Sequence, residues 1–130
     1  MTSVLRMTSL CALMLATCHL PAQAADPAPP SSPAVAAKLA ARGDIKGVRV
    51  YEIRMVRRSD MLVVEADFQN TENKDRQVFY RFRWLDGGGM QVGDGESWKQ
   101  LLVYGQQTQV VKSVAPTSAG ADFRLEFNVE

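Results

Sequence analysis

The sequence predicts an all-β domain with the architecture of an immunoglobulin-like β-sandwich. After Gly43 the apolar residues recur with a period of two, as they do where alternate side chains of a strand enter a core. The apolar segments are short, rich in β-branched and aromatic residues, and separated by turn residues at intervals of about ten residues. This spacing is typical of about seven antiparallel strands packed as two sheets.

The first two predicted strands are joined by a short polar turn. The first strand carries Val48, Tyr51, Ile53 and Met55 and ends near Arg57. The second strand covers residues 61–69, in which the even-numbered residues are apolar and two odd-numbered residues, Glu65 and Asp67, are acidic. This alternation predicts one face in the core and one face in water.

The third predicted strand has the largest core side chains. One of its faces carries Val78, Tyr80, Phe82 and Trp84, and the other carries Phe79, Arg81, Arg83 and Leu85. We therefore predict that Trp84 points into the core. The remaining strands are predicted at residues 90–92, 97–104, 108–114 and 123–129, with glycine-rich turns at 86–89 and 93–96.

The segment before these strands divides the chain into three regions. Residues 25–33 are rich in Ala, Pro and Ser and predict an extended spacer. Ser32 and Pro33 are typical of a helix N-terminus, so we predict a short helix over residues 34–42. The predicted organisation is a signal peptide at 1–24, a linker with this helix at 25–43, and a β-sandwich at 44–130.

The N-terminus predicts export. Arg6 precedes an apolar stretch that is too short to span a bilayer, and a small-x-small triplet ends at Ala24, which predicts cleavage before Ala25. This interpretation favours a soluble periplasmic protein. The alternative is lipidation of Cys18, which would make an outer-membrane lipoprotein attached to the membrane only through that anchor. Both cysteines of the chain lie in this region, so we expect no disulfide in the domain.

The composition excludes most catalytic chemistry. The only histidine is His19, in the predicted signal peptide, so the sequence predicts no catalytic triad, no metal centre and no cofactor. Asp86, Asp94 and Glu96 lie among glycines and are interpreted as turn residues rather than calcium ligands. A net charge of +1 does not favour nucleic acid as a partner. We therefore expect a protein that is not an enzyme.

The candidate interaction surface consists of Phe79, Arg81, Arg83 and Trp98. The arginines are suited to grip carboxylates on another periplasmic or envelope protein. In the alternative interpretation they pair with Glu65, Asp67 and Glu126 on neighbouring strands. The strand after Trp98 is apolar on both faces, and its second face is covered by the predicted helix or by a partner. A second hypothesis is that Trp98 stacks on peptidoglycan or on another small ligand.

The chain from Gly47 to Phe127 resembles a known family. The segment from Val78 to Asp86 (VFYRFRWLD), with Gly89, Trp98 and the later Ala115-Pro116, is similar to the YcfL family of Gram-negative periplasmic or lipoprotein domains. The resemblance implies an immunoglobulin-like sandwich in the periplasm, often lipid-anchored, with no assigned catalytic residues. It also implies a relation to lipoprotein activators of peptidoglycan synthases, and hence a role in the cell envelope.

Overall fold

The computed structural model describes residues 32–130. The predicted signal peptide, the cleavage position at Ala24 and Ala25, the lipidation at Cys18 and most of the predicted spacer lie outside the described residues. One short helix is present, α1 (Pro33–Ala36). Seven strands follow in chain order: β1 (Leu39–Ala41), β2 (Val48–Arg58), β3 (Met61–Asn70), β4 (Arg76–Leu85), β5 (Lys99–Val103), β6 (Thr108–Val114) and β7 (Asp122–Val129).

The strands form two packed sheets, which confirms the predicted β-sandwich. The first sheet has four strands in the order β1-β7-β4-β5, and the second has three in the order β2-β3-β6. All pairs are antiparallel except β1 with β7, which is parallel. Strand β1, which the sequence did not predict, is the strand that pairs in parallel within residues 32–130.

The core lies between the sheets and is built on aromatic side chains. Trp84 is 1% exposed, as predicted, and stacks on Phe82 with 5.6 Å between ring centroids. Phe123 of β7 packs against both rings at 5.9 and 6.1 Å. The predicted inward rows of β3 and β4 are confirmed, because the even-numbered residues from Leu62 to Phe68 and from Val78 to Trp84 are all buried.

The predicted helix over residues 34–42 is wrong beyond its first turn. Ser32 accepts a hydrogen bond from the Val35 backbone N–H at 3.3 Å and so caps α1, as its position predicted. The chain then leaves the helix and pairs Leu39 with Leu125 of β7. Pairing with β7 satisfies backbone groups and packs Leu39 against the core, which outweighs the helix propensity of this alanine-rich segment.

The predicted strand at residues 90–92 is also wrong. Only a single bridge, between Leu85 and Gln91, connects this segment to β4. The Asp86 carboxylate accepts hydrogen bonds from the backbone N–H groups of Gly88 and Met90, both at 2.9 Å. The segment is therefore a loop organised by Asp86.

Strand β2 contains a bulge that changes which side chains face inward. The pairing register with β3 shifts between Val50 and Glu52. Val48 and Val50 are buried before the bulge, whereas Tyr51 at the bulge is exposed. Beyond the bulge, Met55 lies on the inner side of the strand but is 59% exposed, because the sandwich is open at this edge. Tyr51 lies in the predicted first strand, with its side chain exposed at the bulge.

Candidate functional site

The candidate site lies on the outer face of the four-stranded sheet. Arg81 on β4 lies directly opposite Glu126 on β7, and Trp98 immediately precedes β5, which pairs with β4. Arg42, immediately after β1, and Arg83 on β4 reach the same glutamate. We call the group of Arg42, Arg81, Arg83, Trp98 and Glu126 the arginine surface.

Glu126 is the centre of the arginine surface. Its residue is 2% exposed although it lies on the outer face of the sheet, because the arginines cover it. The Arg81 Nε donates to Oε2 at 2.6 Å, and the Arg42 Nη2 donates to Oε1 at 3.3 Å. The Arg83 Nη1 lies 3.8 Å from Oε1. The carboxylate therefore fixes the positions of the guanidinium groups around it.

The electrostatics of this cluster keep Glu126 ionised. Burial raises the pKa of the Glu126 carboxyl, but hydrogen bonds and charge from Arg81 and Arg42 outweigh burial, so the pKa lies below its ordinary value. One carboxylate is then surrounded by the guanidinium groups of Arg42, Arg81 and Arg83. The surface has an excess of positive charge at neutral pH.

Trp98 is held between charged groups rather than standing free. The Arg81 Cζ lies 4.7 Å from the centroid of the indole ring, and the Arg42 Cζ lies 5.9 Å from it. Both distances fit a cation–π contact. The indole is 39% exposed. Two guanidinium groups therefore occupy part of the aromatic surface that a sugar would need.

The structure brings together three of the four predicted surface residues. Arg81, Arg83 and Trp98 meet around Glu126, whereas Phe79 shares their face of β4 but is half-buried opposite Asn128 and Gln100.

Two expectations about the neighbourhood of this surface are corrected by the structure. The predicted helix does not cover Trp98, whose neighbours are Arg42 and Arg81. Glu65 and Asp67 do not pair with the arginines of β4. They lie on the other sheet and contact Arg54 instead, Asp67 through two hydrogen bonds at 2.7 and 3.1 Å.

The sequence did not identify Glu96 as a half-buried residue that connects the two sheets. Its carboxylate accepts hydrogen bonds from the Trp84 Nε1 at 3.0 Å and from the Phe82 backbone N–H at 3.2 Å. It also accepts one from the Ser113 hydroxyl on β6, so it joins the two sheets. Glu96 is therefore not a turn residue. A buried tryptophan requires an acceptor for its indole N–H, and that requirement was the signal available in the sequence.

Residues 32–130 contain no group of three or more His, Cys, Asp or Glu side chains arranged to hold a metal ion. In the same part of the chain, no helix is long and apolar enough to cross a membrane.

Comparisons with known proteins identify the fold but no activity. A family model described as "Protein of unknown function (DUF1425)" matches residues 38–128, a range that includes β1. The fold is similar to the crystal structure of Campylobacter jejuni cj0090, with a TM-score of 0.61 and 20% identity over 72% of this chain and 98% of that one. It is also similar to a DUF1425 family member from Shewanella sp. pv-4, with a TM-score of 0.55 and 27% identity over 64% of this chain and 76% of that one. No curated protein matches the sequence.

Proposed function

Because this chain belongs to the DUF1425 family of proteins of unknown function, we propose its function from its own surface. The protein is a non-catalytic interaction module of the cell envelope, and its arginine surface binds an acidic segment of another envelope protein. The observation that carries the proposal is the cluster of three guanidinium groups around the single buried carboxylate of Glu126.

The arginines differ in how much of each is available to a partner. The side chains of Arg42 and Arg83 are 57% and 45% exposed, and each contacts Glu126 only at 3.3 Å or more. Arg81 is less exposed and makes the short contact of 2.6 Å. Arg81 therefore holds the cluster together, while Arg42 and Arg83 present planar donors suited to bidentate binding of carboxylates.

The proposed cellular location rests on the sequence. The N-terminal segment has the parts of an export signal, and the resemblance to the YcfL family supports a periplasmic location, either soluble or anchored through Cys18. The mass of the mature N-terminus from separated periplasm and membranes tests this. A chain that begins at Ala25 supports the soluble form, an acylated chain that begins at Cys18 supports the anchored form, and an intact Met1 refutes export.

The binding proposal is tested by crosslinking in the envelope with the full-length, tagged chain. The variant Arg42→Gln, Arg83→Gln removes two exposed charges and leaves Arg81 on Glu126. The control Lys74→Gln, Lys112→Gln removes the same charge from exposed positions elsewhere. We expect one acidic protein to be recovered with the wild type and the control and lost with the arginine variant. Equal recovery with all three refutes the role of this surface, provided that thermal melting shows all three folded.

Trp98 carries a second candidate function, binding of peptidoglycan or another glycan, because this aromatic residue is 39% exposed and lies beside the Arg81 guanidinium. Sedimentation with purified peptidoglycan tests it. A wild-type chain that sediments, together with a Trp98→Ala variant that does not, would support this function, whereas a wild-type chain that stays in the supernatant refutes it.

A further inference from the structure

Beyond its bulge, strand β2 has one edge that pairs with no other strand among residues 32–130. The three-stranded sheet has the order β2-β3-β6, so this part of β2, from Glu52 to Arg58, has a strand neighbour on one side only. Such an edge is a template for pairing with another strand.

The backbone groups that point away from the sheet can be identified from the hydrogen bonds of β3. Leu62 O accepts from Ala115 N at 2.8 Å, so the even-numbered residues of β3 are bonded towards β6 and the odd-numbered residues towards β2. The pairing register then directs the N–H and C=O groups of three β2 residues to the free edge, namely Ile53, Met55 and Arg57.

The side chains of the same edge surround an apolar cleft. Ile53 and Met55 line a cavity of about 170 Å³, together with Val35 of α1 and Phe123 of β7. Met55 is 59% exposed at the mouth of this cavity. A strand added to β2 would therefore both complete backbone hydrogen bonds and place side chains over the cleft.

We propose that two copies of this chain associate through antiparallel pairing of their β2 edges. In the proposed register, Met55 lies opposite Met55 of the second copy on the two-fold axis, and Ile53 lies opposite Arg57. The backbone groups of these three residues then bond between the copies. On the outer face the same register sets Glu52 opposite Arg58, and the two-fold axis makes this contact twice.

Charge selects this register over its neighbours. A slip that brings Arg54 opposite Arg54 of the second copy sets like charges against each other. The slip in the other direction brings Arg54 opposite Arg58, with the same effect. Larger slips run into the bulge at Val50–Glu52 or the turn at Ser59. The register centred on Met55 pairs opposite charges and keeps all of its pairs, from Glu52 to Arg58, within the regular part of β2. A register centred on Ile53 also sets Glu52 opposite Arg54, but it brings Tyr51 of the bulge opposite Met55.

Sedimentation velocity of the purified full-length chain over a range of concentrations tests the proposal. We expect a reversible dimer. Glu52→Arg or Arg58→Glu alone should raise the dissociation constant about tenfold, since each sets like charges together twice. The double variant Glu52→Arg, Arg58→Glu should restore it, which a folding defect would not do. The control Asp94→Arg, on a distant exposed loop, should leave the dissociation constant unchanged.

Hydrogen exchange supplies a second measurement that needs no variant. The amides of Ile53, Met55 and Arg57 should gain protection as concentration rises. A monomer at all concentrations, or a dimer whose charge variants show no loss and no rescue, refutes the proposal. A monomer whose β2 edge is protected only by another protein refutes it as well, because the occupant would then be a foreign strand.

Discussion

Replacement of Glu96 by alanine should destabilise the domain by removing the acceptor that joins its two sheets. The Glu96 carboxylate receives hydrogen bonds from the Trp84 indole at 3.0 Å, from the Phe82 backbone at 3.2 Å and from the Ser113 hydroxyl. Alanine leaves all of these donors without an acceptor in a largely buried site.

The expected loss in the free energy of unfolding follows from the donors that lose their acceptor. Each buried donor that loses its partner costs about 1–3 kcal/mol. The Ser113 hydroxyl can rotate towards another acceptor, and water has partial access, so we expect the free energy of unfolding to fall by about 3–5 kcal/mol. Glu96→Gln keeps the shape but presents an amide to groups that are themselves donors, so its loss should be smaller, about 1–3 kcal/mol.

Urea unfolding followed by tryptophan fluorescence measures these differences. Asp94→Ala is the matched control, because Asp94 is an exposed carboxylate two residues away and should change stability by no more than about 0.5 kcal/mol. A loss below about 1 kcal/mol for Glu96→Ala, or equal losses for Glu96→Ala and Asp94→Ala, would refute the bridging role.

The same carboxylate predicts a dependence of stability on pH. Burial raises the pKa of Glu96, but the hydrogen bonds from Ser113, Trp84 and Phe82 outweigh burial and hold the pKa below its ordinary value of 4.5. A carboxyl whose pKa is lower in the folded state stabilises the fold above its unfolded pKa. This stabilisation should be lost as pH falls below about 4.5, and Glu96→Gln should lose stability less steeply than the wild type over that range.

Two further substitutions test the packing around the β5–β6 turn by the same unfolding assay. Gly105→Ala should lower the free energy of unfolding by more than about 2 kcal/mol, because its Cβ would lie 2.3 Å from the Asn73 carbonyl oxygen. The control Gly87→Ala, with open space around it, should be nearly neutral. Equal effects of the two substitutions would refute the steric argument. Asn70→Ala should cost about 2–4 kcal/mol, because the buried Val103 carbonyl loses the Asn70 amide donor at 3.1 Å; a neutral result would contradict it.

Strands β3 and β4 could be predicted because their signal is local. The alternation of apolar residues predicts which side chains enter the core without reference to any other strand. It runs from Leu62 to Phe68 in β3 and from Val78 to Trp84 in β4. The inward position of Trp84 follows from the same pattern.

Strand β1 could not be predicted because its partner is distant in sequence. Leu39 pairs with Leu125, and no residue near Leu39 in the sequence indicates a strand at residues 39–41. The local composition favours a helix, and only the position of β7 overrides it. The bulge in β2 could not be predicted either. Tyr51 continues the apolar pattern of the strand, but the pairing register shifts at this residue.

Only part of the candidate site could be predicted, because some of its residues meet only through pairing between distant segments of the chain. Arg81 and Arg83 share a strand face, and Trp98 is a conspicuous aromatic residue, so each could be chosen from the sequence. Arg42 belongs to the surface only because β1 runs beside β7, where the Arg42 backbone N–H donates to Phe127 O at 2.8 Å. The pairing of Arg81 and Arg83 with Glu126 was one interpretation of the sequence, and the structure shows it. The contact of Arg42 with Glu126 could not be predicted, because it depends on the pairing of β1.

The attachment of β1 gives the domain a mechanical weak point. Beyond α1, this three-residue strand is the first paired element that tension on the chain before Ser32 would reach, and it is joined to β7 by bonds such as Leu125 N to Lys38 O at 2.8 Å. Tension that stripped β1 from the sheet would carry Arg42 away from Glu126 and Trp98 while the other strands stayed paired. A pull on the chain before α1 would thus remove Arg42 from the arginine surface before it unfolded the sandwich, while Arg81 stayed on Glu126.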